Sequence, residues 1–350
     1  MKFIKKYKMN RNSNHYINND KNKKKLKILY VQSGKRQPYV ALEESLIKYF
    51  KKEIPQFHTI LPHEHIHKVA QEIKPHLILV FDGWNFSVTK IKVLKRLGFV
   101  TAVWLLDDPY YTDITEIIAP KYDYIFTVES GCIDFYKSLG CKNVNFLPLA
   151  VDPDIFKLNR NVEAEYKSDV LFVGNAHPDR VDYFKEIEAE LLKRNIGIIG
   201  PGWEEINDSL LTKTIIKNNW ITPEETAKYY NGAKIVINMH RSIDNPNINR
   251  NTKVKINALS VNPRTFEIAA CGAFQLTDIR KDLYDLYTPG HDIATYKTSI
   301  EMIRKMDYYL YHSDKRQSMA AKAMEKTLQN ETYSIRVNQL LEYLTKELKL

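Results

Sequence analysis

Only three cysteines occur among the 350 residues, Cys132, Cys141 and Cys271. That is too few for a disulfide framework, and no CxxC pair or Cys/His cluster points to structural zinc. No apolar run approaches the ~18 residues that a bilayer span needs, so no integral membrane association is expected. The first residues are basic but lack the apolar core and small-residue cleavage site of a secretory signal. Phosphate-loop and GxSxG motifs are missing as well, which sets NTPase and serine-hydrolase chemistry aside. The expectation is a reduced, cytoplasmic protein.

What the chain does have is ordinary globular composition, 44% hydrophobic and 27% charged, with a formal charge of +10. Its length favours two domains of roughly 100–200 residues each. The basic excess is local. Residues 1–25 carry nine Lys and Arg against one acid, Asp20, a surplus of +8 that leaves +2 for everything else. This stretch, rich in Asn and Lys, reads as a disordered basic arm. A contact with nucleic acid or an anionic surface stays open for it, beside the simpler reading of a solvated tail.

From Leu26 onward short apolar strands alternate with helices. KILYVQ (27–32), HLILVFD (76–82), FVTAVWLLDD (99–108), YDYIFTVE (122–129) and VNFLPLAV (144–151) read as strands. Between them Pro38–Lys52, Phe86–Leu97 and Ile133–Leu139 have helical spacing. Near-continuous apolar strands alternating with helices indicate a parallel sheet covered on both faces. After a polar linker, 152–168, the pattern restarts with DVLFVGN (169–175), IGIIG (196–200), KIVINMH (234–240) and AFQLTD (273–278). Helices are expected near 178–194, from Pro223, at 263–271 and throughout 299–349. The fold class is therefore α/β, with two Rossmann-like doubly wound domains facing a cleft; ligands of such sheets sit beyond the carboxyl ends of the strands.

The segment NPRTFEIAACGAFQLTD (Asn262–Asp278) sets Arg264 and Glu267 in the first turns of a helix that Gly272 ends, followed by a buried strand. A helix start suits a diphosphate, and a Glu there can accept hydrogen bonds from ribose hydroxyls. Read by spacing alone, the same pair could simply form a salt bridge at a helix start.

These residues resemble the C-terminal nucleotide-sugar motif of GT-B glycosyltransferases, of the glycosyl transferase family 1/4 type. More closely, the chain resembles the spore-maturation CgeB group, with its Arg-x-Phe-Glu helix, Ala-x-Gly and buried strand. Phe126–Phe156, containing Leu147-Pro148 and Val151-Asp152-Pro153, resembles the end of the GT-B N-terminal domain. Asp169–Arg180 resembles the first strand and loop of the donor-binding domain. The resemblance covers about residues 26–345. It implies an N-terminal acceptor-side domain over 26–155, a nucleotide-sugar-binding domain over 156–330, and a last helix over 331–350 that crosses back to the N-terminal domain. The implied activity is metal-independent transfer of a sugar, with a UDP-sugar as the expected donor substrate and no cofactor. The acceptor is open: glycan, protein or modified nucleic acid. Oligomeric state is open as well.

The resemblance implies nucleotide-sugar contacts at Gly174, Asn175, Arg180, Asn262, Arg264, Thr265 and Glu267. Strand ends add Gly34, whose loop could admit an acceptor or the donor phosphate, and His240 and Arg241 on the donor side, a structural role being the other reading of His240. Gly174 would let backbone approach phosphate, and Arg180 would bind phosphate oxygens in a fork. Many family members carry a second glutamate eight residues before the ribose glutamate; here that position is Leu259. Recognition of the sugar hydroxyls is therefore unassigned. The polar loop Ile243–Lys255 reads as a lid over the same site. On the acceptor side, Trp84 and Tyr110 are expected to contact the acceptor. Asp82, Asp107 and Asp108 are the candidates for orienting or deprotonating its hydroxyl; capping of the next helix is the other reading of the paired acids. His63, His65 and His67 alternate, but a helix start at Pro62 would splay them, so no metal site is expected. Two further readings stay beside transfer to an ordinary hydroxyl. One is a DNA-modifying glycosyltransferase acting on a hydroxylated base; the other is a catalytically silent spore or surface assembly protein that keeps the fold.

Overall fold

The computed structural model describes residues 23–206 and 215–350, which fall into two compact units. The first comprises the chain up to Leu149 together with Asn249–Ser260 and Tyr333–Leu350; the second comprises Ala150–Ile248 and Val261–Thr332.

The first unit runs β1 (Lys27–Val31), α1 (Tyr39–Glu53), β2 (Gln56–Ile60), α2 (Ile66–Ile73), β3 (Leu77–Phe81), α3 (Val88–Arg96), β4 (Thr101–Leu105), α4 (Thr112–Ile118), β5 (Tyr124–Thr127), α5 (Cys132–Ser138) and β6 (Asn143–Phe146). Its sheet has the order β2-β1-β3-β4-β5-β6, every pair parallel. Strands β3 and β4 are buried at all five positions, as a sheet covered on both faces requires. The chain order reverses between β1 and β3, so the loops that follow these two strands open side by side.

The second unit runs β7 (Ser168–Val173), α6 (Pro178–Glu186), α7 (Glu188–Leu191), β8 (Ile196–Ile199), β9 (Ile215–Lys217), α8 (Pro223–Gly232), β10 (Ala233–Asn238), α9 (Arg264–Ala270), β11 (Gln275–Asp278), α10 (Leu283–Leu286), β12 (Ala294–Tyr296), α11 (Ser299–Tyr311) and α12 (Ser313–Asn330). Its parallel sheet has the order β12-β11-β10-β7-β8-β9, the doubly wound arrangement with its switch between β7 and β10. The period-2 rule of strands is visible in the packing. Val170, Phe172, Ile235 and Ile237 join one core with Phe184, Met302 and Met306. Their neighbours Leu171 and Val236 face the other way, into a core with Tyr230, Phe266 and Ala269.

The last helix, α13 (Tyr333–Glu347), belongs to the first unit. It buries Val337, Leu340, Leu341 and Leu344, packs against α1, and its Tyr343 hydroxyl accepts a 2.9 Å bond from Asn145 Nδ2. Each such fully buried leucine contributes about 2 kcal/mol.

Three strands, β2, β9 and β12, are absent from the sequence reading. Two of these three edge strands lie at the ends of the second sheet and are only three residues long. The third, β2, leaves His58 and Thr59 exposed, so it lacks the continuous apolar run that marks a central strand. His63 and His65 precede α2 and His67 is its second residue, and the His65 and His67 rings meet edge to face at 6.0 Å. Among the described residues no group of three or more His, Cys, Asp or Glu side chains could hold a metal ion, and no helix is long and apolar enough to cross a membrane. The basic arm expected over 1–25 lies, through residue 22, outside the described residues. Lys23 itself is held: its Nζ donates to Asn338 at 2.9 Å and pairs with Glu342 at 3.1 Å.

The polar loop expected as a donor-side lid is divided. Residues 249–260 belong to the first unit, where two acids hold them. Asp113 accepts from Thr252 N, Thr252 Oγ1 and Lys253 N at 2.7–3.1 Å. Buried Glu129 accepts from Leu259 N at 3.0 Å and Ser260 N at 3.2 Å. Tyr110 O and Arg250 N add a backbone bond of 2.7 Å. A segment with this many charge-assisted bonds is a fixed strap.

Candidate functional site

In the first unit, the loops after β1, β3 and β4 meet around one ammonium. Lys35 Nζ lies 2.7 Å from Asp82 Oδ2 and 3.2 Å from Asp107 Oδ2. It also sits over the Tyr39 ring at 4.2 Å and the Trp84 ring at 4.4 Å, a favourable place for a cation. Tyr39 donates to Asp107 at 2.6 Å, and Trp84 meets Tyr111 edge to face at 4.6 Å. Asp82 is fully buried and occupies the left-handed region at φ 66°. Burial pushes its carboxyl up to about 6, with Lys35 pulling the other way and Asp107 reinforcing the rise.

The structure thus brings together Asp82, Asp107 and Trp84 from the sequence candidates, and adds Lys35, Tyr39 and Tyr111. Lys35 carried no signal: one lysine in a loop among 52 basic residues looks like surface charge until β3 and β4 bring their acids beside it. The loop itself is anchored by Glu43 of α1, which accepts from Ser33 N at 2.8 Å and Ser33 Oγ at 2.6 Å.

Three first-unit candidates are placed otherwise. Asp108 turns inward, 4% exposed; it accepts from Thr127 at 2.6 Å, from Tyr136 at 2.7 and 2.8 Å and from Thr115 at 3.4 Å. Alternation along the chain sends adjacent acids to opposite sides, so Asp107 faces the cluster and Asp108 faces the core. Gly34 has φ 63°, and an added Cβ would lie 2.6 Å from Pro62 Cγ. Packing against Pro62 and the positive φ both favour glycine at this position. Tyr110 is half-buried, and its carbonyl takes the Arg250 amide.

In the second unit the loops after β7 and β10 open next to each other, and arginines fill the space between their carbonyl ends. Arg180, 2% exposed, donates to Asn175 O at 2.9 Å and Met239 O at 2.8 Å. Arg264 donates to Val173 O at 2.8 Å and Met239 O at 3.2 Å. Arg280 donates to Arg241 O at 2.8 Å, and Arg241 donates to Ile248 O. Each guanidinium has five N–H groups, so Arg264 retains donors after its two carbonyl bonds. His177, at the start of α6, registers this field: burial, then Arg180, Arg241 and Arg264, bring it down to about 3.

Gly174 belongs to the same construction. A Cβ there would collide with the Arg264 guanidinium and stand 3.2 Å from Arg180 Nη1. The bare Cα thus gives room to the Arg264 guanidinium. Asn175 exposes its side chain and lends the loop its carbonyl. Asn262 and Thr265 take part in a network that joins neighbouring elements. Asn238 Nδ2 donates to Asn262 Oδ1 at 3.2 Å, Thr265 Oγ1 at 3.0 Å and Gln275 Oε1 at 2.7 Å. This network, with Thr265 fully buried, joins β10, β11 and α9. The amides of residues 265–267 are already bonded within the helix start, to Asn262 O and Pro263 O, so few are left to meet an anion. Glu267 remains partly exposed, yet burial of its carboxyl pushes it up to about 7 against the pull of Arg264.

His240 lies past the end of β10 beside Asp278 of β11. Its Nδ1 is 2.6 Å from Asp278 Oδ1, and its backbone N donates to the same oxygen at 3.0 Å. Asp278 is not among the sequence candidates, because nothing local shows that β10 and β11 are neighbours.

Residues 180–342 match the family described as "Glycosyl transferase-like". The spore protein CgeB of Bacillus subtilis (strain 168) is 31% identical over 318 residues, 87% of this chain and 94% of that protein. The structure of Anabaena HepE in complex with UDP and glucose superposes with a TM-score of 0.65 at 10% identity, covering 92% of this chain and 100% of that one. Sucrose-phosphate synthase of Thermosynechococcus elongatus gives the same TM-score, identity and coverage. At such identities these structures show a shared fold, the GT-B architecture of two Rossmann-like units.

Proposed function

This chain belongs to the family of the spore protein CgeB, and on that premise we propose that it transfers a sugar from a nucleoside diphosphate sugar, with UDP as the nucleotide, to an acceptor hydroxyl. The observation that carries the reading is the convergence of Arg180, Arg241, Arg264 and Arg280 where the second sheet reverses its strand order. Such an array offers fixed positive charge to a leaving diphosphate, and preorganised charge of this kind is usually what lowers the barrier most. Guanidinium groups neutralise the charge here, without a metal ion. Glu267, on the first turns of α9, accepts from the ribose hydroxyls. That the HepE structure holds UDP and glucose supports the choice of nucleotide.

The first unit supplies the acceptor side. Trp84 offers a ring face to the acceptor, and Tyr110 lies beside the strap. Asp82 or Asp107 orients the acceptor hydroxyl and takes its proton once Lys35 yields one of them. Leu259 stands where many family members carry a sugar-facing glutamate, and its amide is bonded to Glu129 in the first unit. This keeps a non-catalytic assembly role as the second reading.

A thermal-shift screen against UDP, GDP, TDP and their sugars tests the proposal directly, since a ligand that binds only the folded state raises stability by RT ln(1 + [L]/Kd). Stabilisation by UDP and its sugars, with turnover of one of them, is expected; stabilisation without turnover selects the assembly role. Glu267→Ala should raise the donor KM about tenfold or more. Unchanged donor kinetics in that variant remove the ribose assignment.

A further inference from the structure

Parallel strands β10 and β11 are in register with Asn238 opposite Thr277, so the residues just past that pair, His240 and Asp278, emerge together at the carboxyl edge of the sheet. Asp278 Oδ1 receives both the backbone N–H of His240 and its ring Nδ1, at 3.0 and 2.6 Å. A carboxylate can only accept, so the proton of the neutral imidazole lies on Nδ1 and Nε2 keeps a bare lone pair. That Nε2 is buried and has no hydrogen-bond partner among the described residues, on a side chain 3% exposed. A buried polar atom left without a partner costs stability, which makes it a place built for something that arrives.

The surroundings decide what arrives. Arg264 and Arg280 act electrostatically on His240, and Arg180 and Arg264 both bond the carbonyl of Met239, the residue before it. Burial lowers the imidazole below its usual range despite the pull of Asp278. Burial would raise Asp278, but His240 and Arg280 outweigh it and hold that carboxyl at about 2. The pair therefore stands as neutral imidazole and carboxylate. A lone pair repels phosphate oxygens, which the arginines serve; its complement is an O–H. The donor half of the substrate has such groups in the sugar, whose recognition Leu259 leaves without a side-chain acceptor.

We propose that Asp278 is a positioning residue that fixes the tautomer of His240, and that His240 Nε2 accepts a hydrogen bond from a hydroxyl of the transferred sugar. The inference rests on the donor-site reading of the second unit and adds a sugar contact to it. It assigns to a histidine–aspartate pair on adjacent strands the acceptor function that the family's usual glutamate would supply from position 259.

The test compares, by calorimetry, each sugar nucleotide (UDP-glucose, UDP-galactose, UDP-N-acetylglucosamine, GDP-mannose, TDP-glucose) with its own nucleoside diphosphate. In the wild-type protein at least one sugar nucleotide should bind more tightly than its parent. His240→Ala should weaken that sugar nucleotide about tenfold while leaving the parent diphosphate within about twofold. His240→Gln, which keeps an acceptor oxygen, should restore part of the loss. Asp278→Ala should lose several-fold, again selectively for the sugar nucleotide, because an unfixed imidazole presents its lone pair only part of the time. Equal weakening of sugar nucleotide and diphosphate in the histidine variants would mean a phosphate ligand or a purely structural pair, and overturns the proposal. So does unchanged binding of both, or a wild-type protein in which no sugar nucleotide outbinds its parent; in that last case the nucleotide reading survives. If no diphosphate binds at all, the donor-site reading fails first. Should Asp278→Ala not fold, the two histidine variants decide alone.

Discussion

Asp82 occupies a left-handed backbone conformation that costs an L residue about 1–2 kcal/mol, and its carboxyl is buried against a lysine that Asp107 also claims. Strain and burial concentrated at one strand end are common where chemistry is done. The pH dependence follows from the direction of the shift. With its carboxyl raised to about 6, Asp82 is protonated below that pH and becomes a base as pH rises through it. If Asp82 takes the acceptor proton, kcat/KM should rise with pH through an inflection near 6. Lys35 opposes the rise, so Lys35→Met should move the inflection upward, read from the full pH profile. An inflection that stays in place would remove Asp82 from the proton-transfer step. Arg264 teaches the complementary lesson about single residues: legible from sequence as a motif arginine, it turns out to fill the space that Gly174 leaves. The glycine and the arginine can each be picked out, but not that each exists for the other.

Asp108 works at the scale of elements, tying the end of β4 to α4 through Thr115, to β5 through Thr127 and to α5 through Tyr136. Its carboxyl is raised to about 6, foremost by burial, with the Thr127 and Tyr136 bonds pulling it down. A group whose folded pKa lies above its unfolded value gives stability that is complete below the unfolded value, near 4, and lost as pH rises through the folded one. In Asp108→Asn this loss should be absent. Between pH 4 and 6.5 the unfolding free energy of the wild-type protein should therefore fall relative to the variant, by at most about 3 kcal/mol. Denaturant titrations at several pH values give the comparison, and parallel curves would contradict the assignment. The Asn238, Asn262, Thr265 and Gln275 network joins elements in the same way. In the sequence Asn262 and Thr265 look like ligand contacts, because a polar residue at a helix start reads alike whether it faces a ligand or a neighbouring strand. Only the position of β10 against α9 separates the two.

Across the whole molecule the +10 charge divides into a surplus of +8 in residues 1–25 and +2 elsewhere. The cationic site of the second unit is made by four arginines within it, so it owes nothing to that excess. Deleting residues 1–22 should leave the affinity for UDP within about twofold and its salt dependence unchanged. Should deletion weaken binding to DNA and flatten its steep salt slope instead, the acceptor would be sought among nucleic acids. The sequence by itself determined the α/β class, the two alternating halves and the central strands, because covering a parallel sheet on both faces demands apolar runs that local reading detects. It also pointed to strand ends for the chemistry and showed that position 259 lacks the glutamate. The tertiary structure decided which strand ends are neighbours. Lys35 between Asp82 and Asp107, the strap of residues 249–260 held by Asp113 and Glu129, and His240 on Asp278 all depend on it. Each joins residues 38 or more positions apart, and the order of parallel strands, which brings such residues together, leaves no mark in the periodicity of any one of them.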